Sequence, residues 1–273
     1  MCRQSRQTGF TLIEIVAVIV ILGILATAST KLIVFGTQVY VETNDRMQVL
    51  SRSRFLVERL SRELKTAIPN SILATTNCIQ FIPIKSSGAY REDASATTPP
   101  IFPVSGDTLD VVSWTDISNY NLDDRLYIYA TEEAHLYSDT THFMVIANAV
   151  VSSGNEYQIT FNAIDSFEQG SPRQRYYTAD SSVSFCLWAG NVYRNETTGI
   201  PASPPVIDSD DDLDASWILM SEGLTNDIAQ EPPFRYEPGT LYRNSVVNLY
   251  LEFNANSDEN MFFNQEVHIP NVP

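Results

Sequence analysis

Positive charge is the first thing this chain is short of. Seventeen lysines and arginines stand against thirty-three aspartates and glutamates, a formal net charge of −16 over 273 residues. Phosphate backbones are repelled by such a chain, which argues against nucleic acid as a partner. Histidine is scarce as well: His135, His142 and His268 are widely spaced, and His135 and His142 flank a polar turn, so all three read as surface side chains. The three cysteines form no C-x-x-C, which suggests neither zinc nor redox chemistry. A G-x-S-x-G elbow, an H-E-x-x-H helix and a phosphate-cradling G-x-x-x-x-G-K-[ST] loop are all missing. The expectation is a protein that is not an enzyme and has no cofactor. No internal repeat is visible, and no proline interrupts residues 10–35.

What is present is a long apolar run. Residues 10–35 read FTLIEIVAVIVILGILATASTKLIVF, and the first nineteen, Phe10 to Ala28, carry one charge, Glu14. A helix rises about 1.5 Å per residue, so roughly 20 apolar residues cross the hydrocarbon core of a bilayer. An ionised side chain within such a span costs on the order of 3 kcal/mol on insertion scales, less near the interface, which makes Glu14 a functional candidate. The nine residues before the run, MCRQSRQTG, are polar and basic and end in Gly9. They lack the apolar region and small-x-small site of an ordinary signal peptide. A cut after Gly9 would free the amine of Phe10, four residues from Glu14.

Gly9-Phe10-Thr11-Leu12-Ile13-Glu14, followed by the apolar run, resembles the processing site of type IV prepilins and type II secretion pseudopilins. That resemblance implies a dedicated prepilin peptidase cutting after Gly9, methylation of the new N-terminal Phe10, and Glu14 as the fifth residue of the mature chain. It also implies a pilin-like fold. The stretches Arg54-Phe55-Leu56-Val57-Glu58-Arg59-Leu60-Ser61-Arg62-Glu63-Leu64 and Ala67-Ile68-Pro69-Asn70-Ser71 resemble the helix end of J-type minor pseudopilins. They are more similar still to the MshO-like minor pilins of the mannose-sensitive haemagglutinin pilus, as is the tail Glu266–Pro273. Membership of that group implies a minor subunit that primes assembly or caps the filament tip. It implies as partners other minor and major pilins, the prepilin peptidase and an inner-membrane assembly platform. A type II secretion minor pseudopilin and a pilus-tip adhesin are the alternatives.

Arg3 and Arg6 precede the span and only Lys31 closely follows it, so the basic end is expected to stay cytoplasmic and the body to be exported. The expected location is the inner membrane, single-pass, with the C-terminal domain periplasmic, and then the pilus. Loss of residues 1–9 removes two positive charges and takes the net charge from −16 to −18. It also removes Cys2 and leaves Cys78 and Cys186, an even number in an oxidising compartment. A Cys78–Cys186 disulfide is expected; two buried free thiols far apart are the alternative. One ion site suggests itself. Asp210, Asp212 and Asp214 have the 1,3,5 spacing of a calcium loop, but Ala215 stands where the loop glycine belongs and Glu222 falls one position late. A solvated acidic loop is the plainer reading, with calcium a weak candidate.

The fold class expected is α+β, a long helix packed on a mainly antiparallel β-sheet domain. Its parts are residues 1–9 as leader, 10–35 as the membrane and filament-core helix, 36–68 as an amphipathic helix, and 69–273 as a β-rich domain with long loops. Met47, Leu50, Val57, Leu60, Leu64 and Ala67 form the expected apolar stripe, with Glu58 and Arg62 as a supporting i,i+4 pair. Pro69 ends the helix. Gly23 is either a soft spot or a tolerated glycine.

Beyond Ser71 the period becomes two. Strands are expected at Cys78–Ile84, Thr108–Trp114, Arg125–Ala130, Phe143–Ala147, Glu156–Ala163, Ser182–Trp188, Trp217–Met220, Val246–Phe253 and Glu266–Ile269. No crossover helices separate them, which favours antiparallel pairing. Residues 85–107, 195–215 and 229–244 read as loops from their Pro, Gly, Ser and Asp content.

Overall fold

The computed structural model describes residues 9, 11–91, 107–114, 120, 122–154, 156–162, 167–240, 243–256 and 259–270. The expectations for the leader and for Phe10 lie outside the described residues, Gly9 apart. The chain forms two compact units, residues 1–50 and 51–273, with helix α1, Leu12–Leu64, contributing to each. The class is the expected one: a long, apolar N-terminal helix followed by a mainly antiparallel β domain.

In the first unit α1 starts at Thr11, whose carbonyl accepts from the N–H groups of Glu14 at 3.1 Å and Ile15 at 3.3 Å. Every residue from Leu12 to Asn44 is exposed. The hydroxyls of Thr27, Thr30, Thr37 and Thr43 donate to the carbonyls of Ile24, Ala26, Val34 and Val39, at 2.7–2.9 Å. Hydroxyls satisfied within the helix need no water, so these threonines are compatible with an apolar medium.

In the second unit the end of α1 buries Ser53, Leu56, Leu60 and Leu64, spaced three, four and four. The buried stripe therefore runs through Leu56. Val57 and Leu50 are only half-buried, and Met47 is exposed, contrary to the expected stripe. The i,i+4 ion pair formed among the described residues is Arg59–Glu63 rather than Glu58–Arg62. Glu63 is also held by Arg194, whose Nε lies 3.0 Å from Oε2, because Arg194 reaches it from a neighbouring strand. The helix stops at Leu64, one turn earlier than expected. The Ile68 N–H donates to the Ile82 carbonyl at 2.8 Å, and the Ile84 N–H donates to the Thr66 carbonyl at 2.9 Å. Sheet-like pairing has replaced the last helical turn, and Asn70 then turns the chain at φ 65°.

Among the described residues fourteen strands follow, all paired antiparallel, in three sheets where the sequence had suggested one. A five-stranded sheet is ordered β1 (Leu73–Ala74), β2 (Cys78–Phe81), β9 (Ser181–Trp188), β10 (Asn191–Thr198) and β11 (Ile218–Glu222). A three-stranded sheet joins β12 (Phe234–Glu237), β13 (Ser245–Asn256) and β14 (Glu259–Ile269). On β13, Val247, Leu249, Leu251 and Phe253 are all buried, as alternation requires.

The third sheet closes on itself. β3 (Ser86–Tyr90), β4 (Thr108–Ser113), β7 (Glu156–Phe161), β6 (Phe143–Ser153), β5 (Arg125–Tyr127) and β8 (Arg175–Ala179) form a six-stranded barrel. Its core includes Tyr90, Leu109, Val111, Leu126, Ile146, Ile159, Phe161 and Tyr176. Gly88 makes closure sterically feasible. A Cβ there would lie 2.1 Å from the Val112 carbonyl oxygen and 2.8 Å from the Tyr176 ring. Burial pushes the Tyr176 phenol far above its usual value, with the Tyr120 hydroxyl 2.7 Å away adding to the shift. Each of the three stretches read as loops contains a strand or the end of one: β3, the end of β10, and β12. Their glycine, serine and flanking prolines mimic turn composition, whereas tertiary pairing selects the extended form.

Candidate functional site

Gly9 is exposed just ahead of α1, and Glu14 lies in the first helical turn, also exposed. A carboxylate there is favoured by the unpaired N–H groups of the helix start. Among the described residues no ion pair reaches Glu14. The helix is long and apolar enough to cross a membrane, and none of its most apolar window is buried within the protein.

Cys78 and Cys186 face each other in register across β2 and β9. Their Cα atoms are 4.1 Å apart and the sulfurs are bonded, across 108 residues of sequence. Both cysteines are fully buried, in a small cluster with Ile207.

The aspartates of the acidic run point to local donors. Asp210 accepts from the Trp188 indole N–H at 2.8 Å. Asp212 accepts from the N–H groups of Asp208 and Ser209 and from the Ser209 hydroxyl, bonds that lower its pKa. Asp214 accepts from the Ser216 hydroxyl and N–H, which lowers its pKa in the same way. Asp212 and Asp214 each close a local turn while Asp210 ties the loop to Trp188, and the three do not converge into a group of ligating atoms.

Convergence occurs elsewhere, at a place the sequence had been read as excluding. His135, Asp139 and His142 each bring one ligand-capable atom within 4.8 Å of the others. His142 is buried, which overturns its reading as a surface residue. Its ring stacks on that of His135 at 3.6 Å with planes 3° apart. Burial and the neighbouring His135 pull the His142 pKa below the ordinary imidazole value, against the upward pull of Asp139 and Glu168. The spacing H-x-x-x-D-x-x-H was visible in the sequence, but only the packing of the turn shows that the three side chains meet.

An ion triad built on the buried Asp124 completes the polar inventory. Lys85 Nζ lies 2.9 Å from Asp124 and 2.7 Å from Asp180. Burial pulls the lysine down, yet the two carboxylates outweigh it and hold its pKa above the usual value. One ammonium sits between two carboxylates, leaving the triad with a net charge of −1.

Comparison with known proteins identifies one family match: residues 4–30 fit the prokaryotic N-terminal methylation motif. Searches of the curated proteins and of the solved structures find no match.

Proposed function

We propose, starting from the methylation motif over residues 4–30, that this chain is a minor pilin-like subunit of a type IV pilus. It is cut by prepilin peptidase after Gly9, methylated at Phe10, held in the inner membrane by α1 with its β domain periplasmic, and then drawn into the pilus. There it primes assembly or caps the tip. The observation that carries this reading is the motif seated on an apolar helix whose first turn carries Glu14, the one charge between Phe10 and Ala28. A subunit leaving the bilayer for a helical filament keeps Glu14 in a low-dielectric core. An unpaired charge in such a medium is very costly and a paired one far less so. The amine of Phe10 on a neighbouring subunit, still positive after methylation, is the matching cation, and the pair sets the axial register. Partners are therefore other minor and major pilins, the peptidase and the assembly platform. The MshO-like assignment rests on the resemblances at Arg54–Ser71 and at the tail.

The motif serves secretion pseudopilins equally well, so a type II secretion minor pseudopilin remains the competing reading. A tip adhesin would use the loops instead. Deletion of the gene separates the three: lost pili with normal secretion supports the pilus, a secretion defect supports the pseudopilin, and glycan binding by the chain supports the adhesin. Membrane crosslinking with mass spectrometry tests the shared foundation. It should find Phe10 as the methylated N-terminus and pilins as neighbours, and Glu14→Ala should be cleaved but incorporated poorly. A mature protein that still begins at Met1 would refute the proposal.

A further inference from the structure

We propose that His135, Asp139 and His142 form a zinc-binding site on the connection between β5 and β6. Both ends of this connection are anchored. Helix α2, Ala134–Tyr137, buries Leu136 and Tyr137 in the cluster that also holds Phe143, the residue after His142. Between these anchors the turn is fixed by its backbone. The N–H groups of Ser138 and Asp139 donate to the Ala134 carbonyl at 3.0 and 2.8 Å, and the Ile128 N–H donates to the His142 carbonyl at 3.1 Å. The three donor side chains thus project from a frame that tertiary packing holds in place.

The donors are correctly prepared for a divalent transition metal. Asp139 Oδ1 accepts the N–H and hydroxyl of Thr141 at 2.9 and 2.7 Å, which orients the carboxylate and lowers its pKa. Its Oδ2 lies 3.5 Å from His142 Nδ1. The His135 and His142 rings lie face to face, with centroids 3.6 Å apart and planes 3° apart; a metal binds in the plane of each ring, so His135 turns out of this stack to share an ion with His142. Tetrahedral zinc with bonds of about 2.1 Å needs donors about 3.4 Å apart. The donor atoms lie within 4.8 Å of one another, and rotation of His135 and Asp139, both only half-buried, closes the remaining distance while His142 stays fixed. The Thr131 N–H donates to His135 Nδ1 at 3.3 Å, a bond that His135 gives up when it turns toward an ion. Glu168 Oε2 lies 3.2 Å from the Thr141 hydroxyl that Asp139 already engages, and adds negative charge beside the site. Two imidazoles, one carboxylate and an open position suit zinc. The ion would tie α2, through His135, to the start of β6, through His142.

The test uses the full chain in detergent, purified without a polyhistidine tag and dialysed against zinc. The expected result near pH 7 is about one zinc per chain by elemental analysis, lost near pH 5 as the imidazoles protonate. A His135→Gln/Asp139→Asn double variant with an unchanged circular-dichroism spectrum should bind at least about tenfold more weakly. Zinc should also shield the half-buried His135, but not the exposed His268, from diethyl pyrocarbonate, a readout that needs only the native chain. Absence of retained zinc in the native chain, equal retention by a folded double variant, or equal labelling of His135 with and without zinc would each overturn the proposal.

Discussion

Helix α1 and the barrel treat apolar residues in opposite ways. From Leu12 to Asn44 every side chain is exposed, including Leu22 at 58% and Ile24 at 64%. In the barrel Leu109, Leu126, Ile159 and Tyr176 are completely buried. The same residue types therefore do different work. In the barrel they stabilise this chain's own fold. From Leu12 to Asn44 they stay exposed, so they remove no apolar surface from solvent and add little to the fold of this chain by itself.

Four experiments would break or sharpen that contrast. The largest effect is expected from Cys78→Ser with Cys186→Ser. The bond closes 108 residues, so its loss should cost the β unit about 4 kcal/mol in denaturant unfolding. Leu60→Ala, at a fully buried position, should cost about 3 kcal/mol by the same assay. Lys85→Met should cost about 2–3 kcal/mol, since it leaves Asp124, 1% exposed, without the ammonium. The folded pKa of Lys85 is raised, so its contribution is complete below the ordinary lysine value and disappears as pH rises through the folded value. The deficit of Lys85→Met should therefore hold steady from neutral pH to about pH 10 and shrink above it. Leu22→Ala should change unfolding of the β unit by less than about 0.5 kcal/mol. A Leu22→Ala effect as large as that of Leu60→Ala would dissolve the distinction.

The sequence made several features legible, for reasons that are local. Strand alternation placed Val247, Leu249, Leu251 and Phe253 on one buried face, because the two-residue period is a property of the strand itself. The same kind of reading failed for Ser86–Tyr90. Ser-Ser-Gly resembles a turn, and only the pairing of β3 with β4 and β8 explains why Gly88 is there. The stripe on α1 was misplaced by one position around Val57, since a helical period sets a face only approximately until a partner surface chooses it. The histidines show the limit most clearly. Their spacing gave no recognised motif, and their approach depends on Leu136 and Tyr137 docking into a core assembled from distant strands.

What the sequence alone determined is the apolar helix with one acid at its head, the methylation motif around it, and the α+β class. Run length, charge and period are written in consecutive residues. The closing of six strands into a barrel, the facing of Cys78 and Cys186, and the meeting of His135, Asp139 and His142 were decided by tertiary structure. Each requires residues far apart, or on opposite sides of a turn, to be brought together by burial, and no local pattern encodes which surfaces will meet.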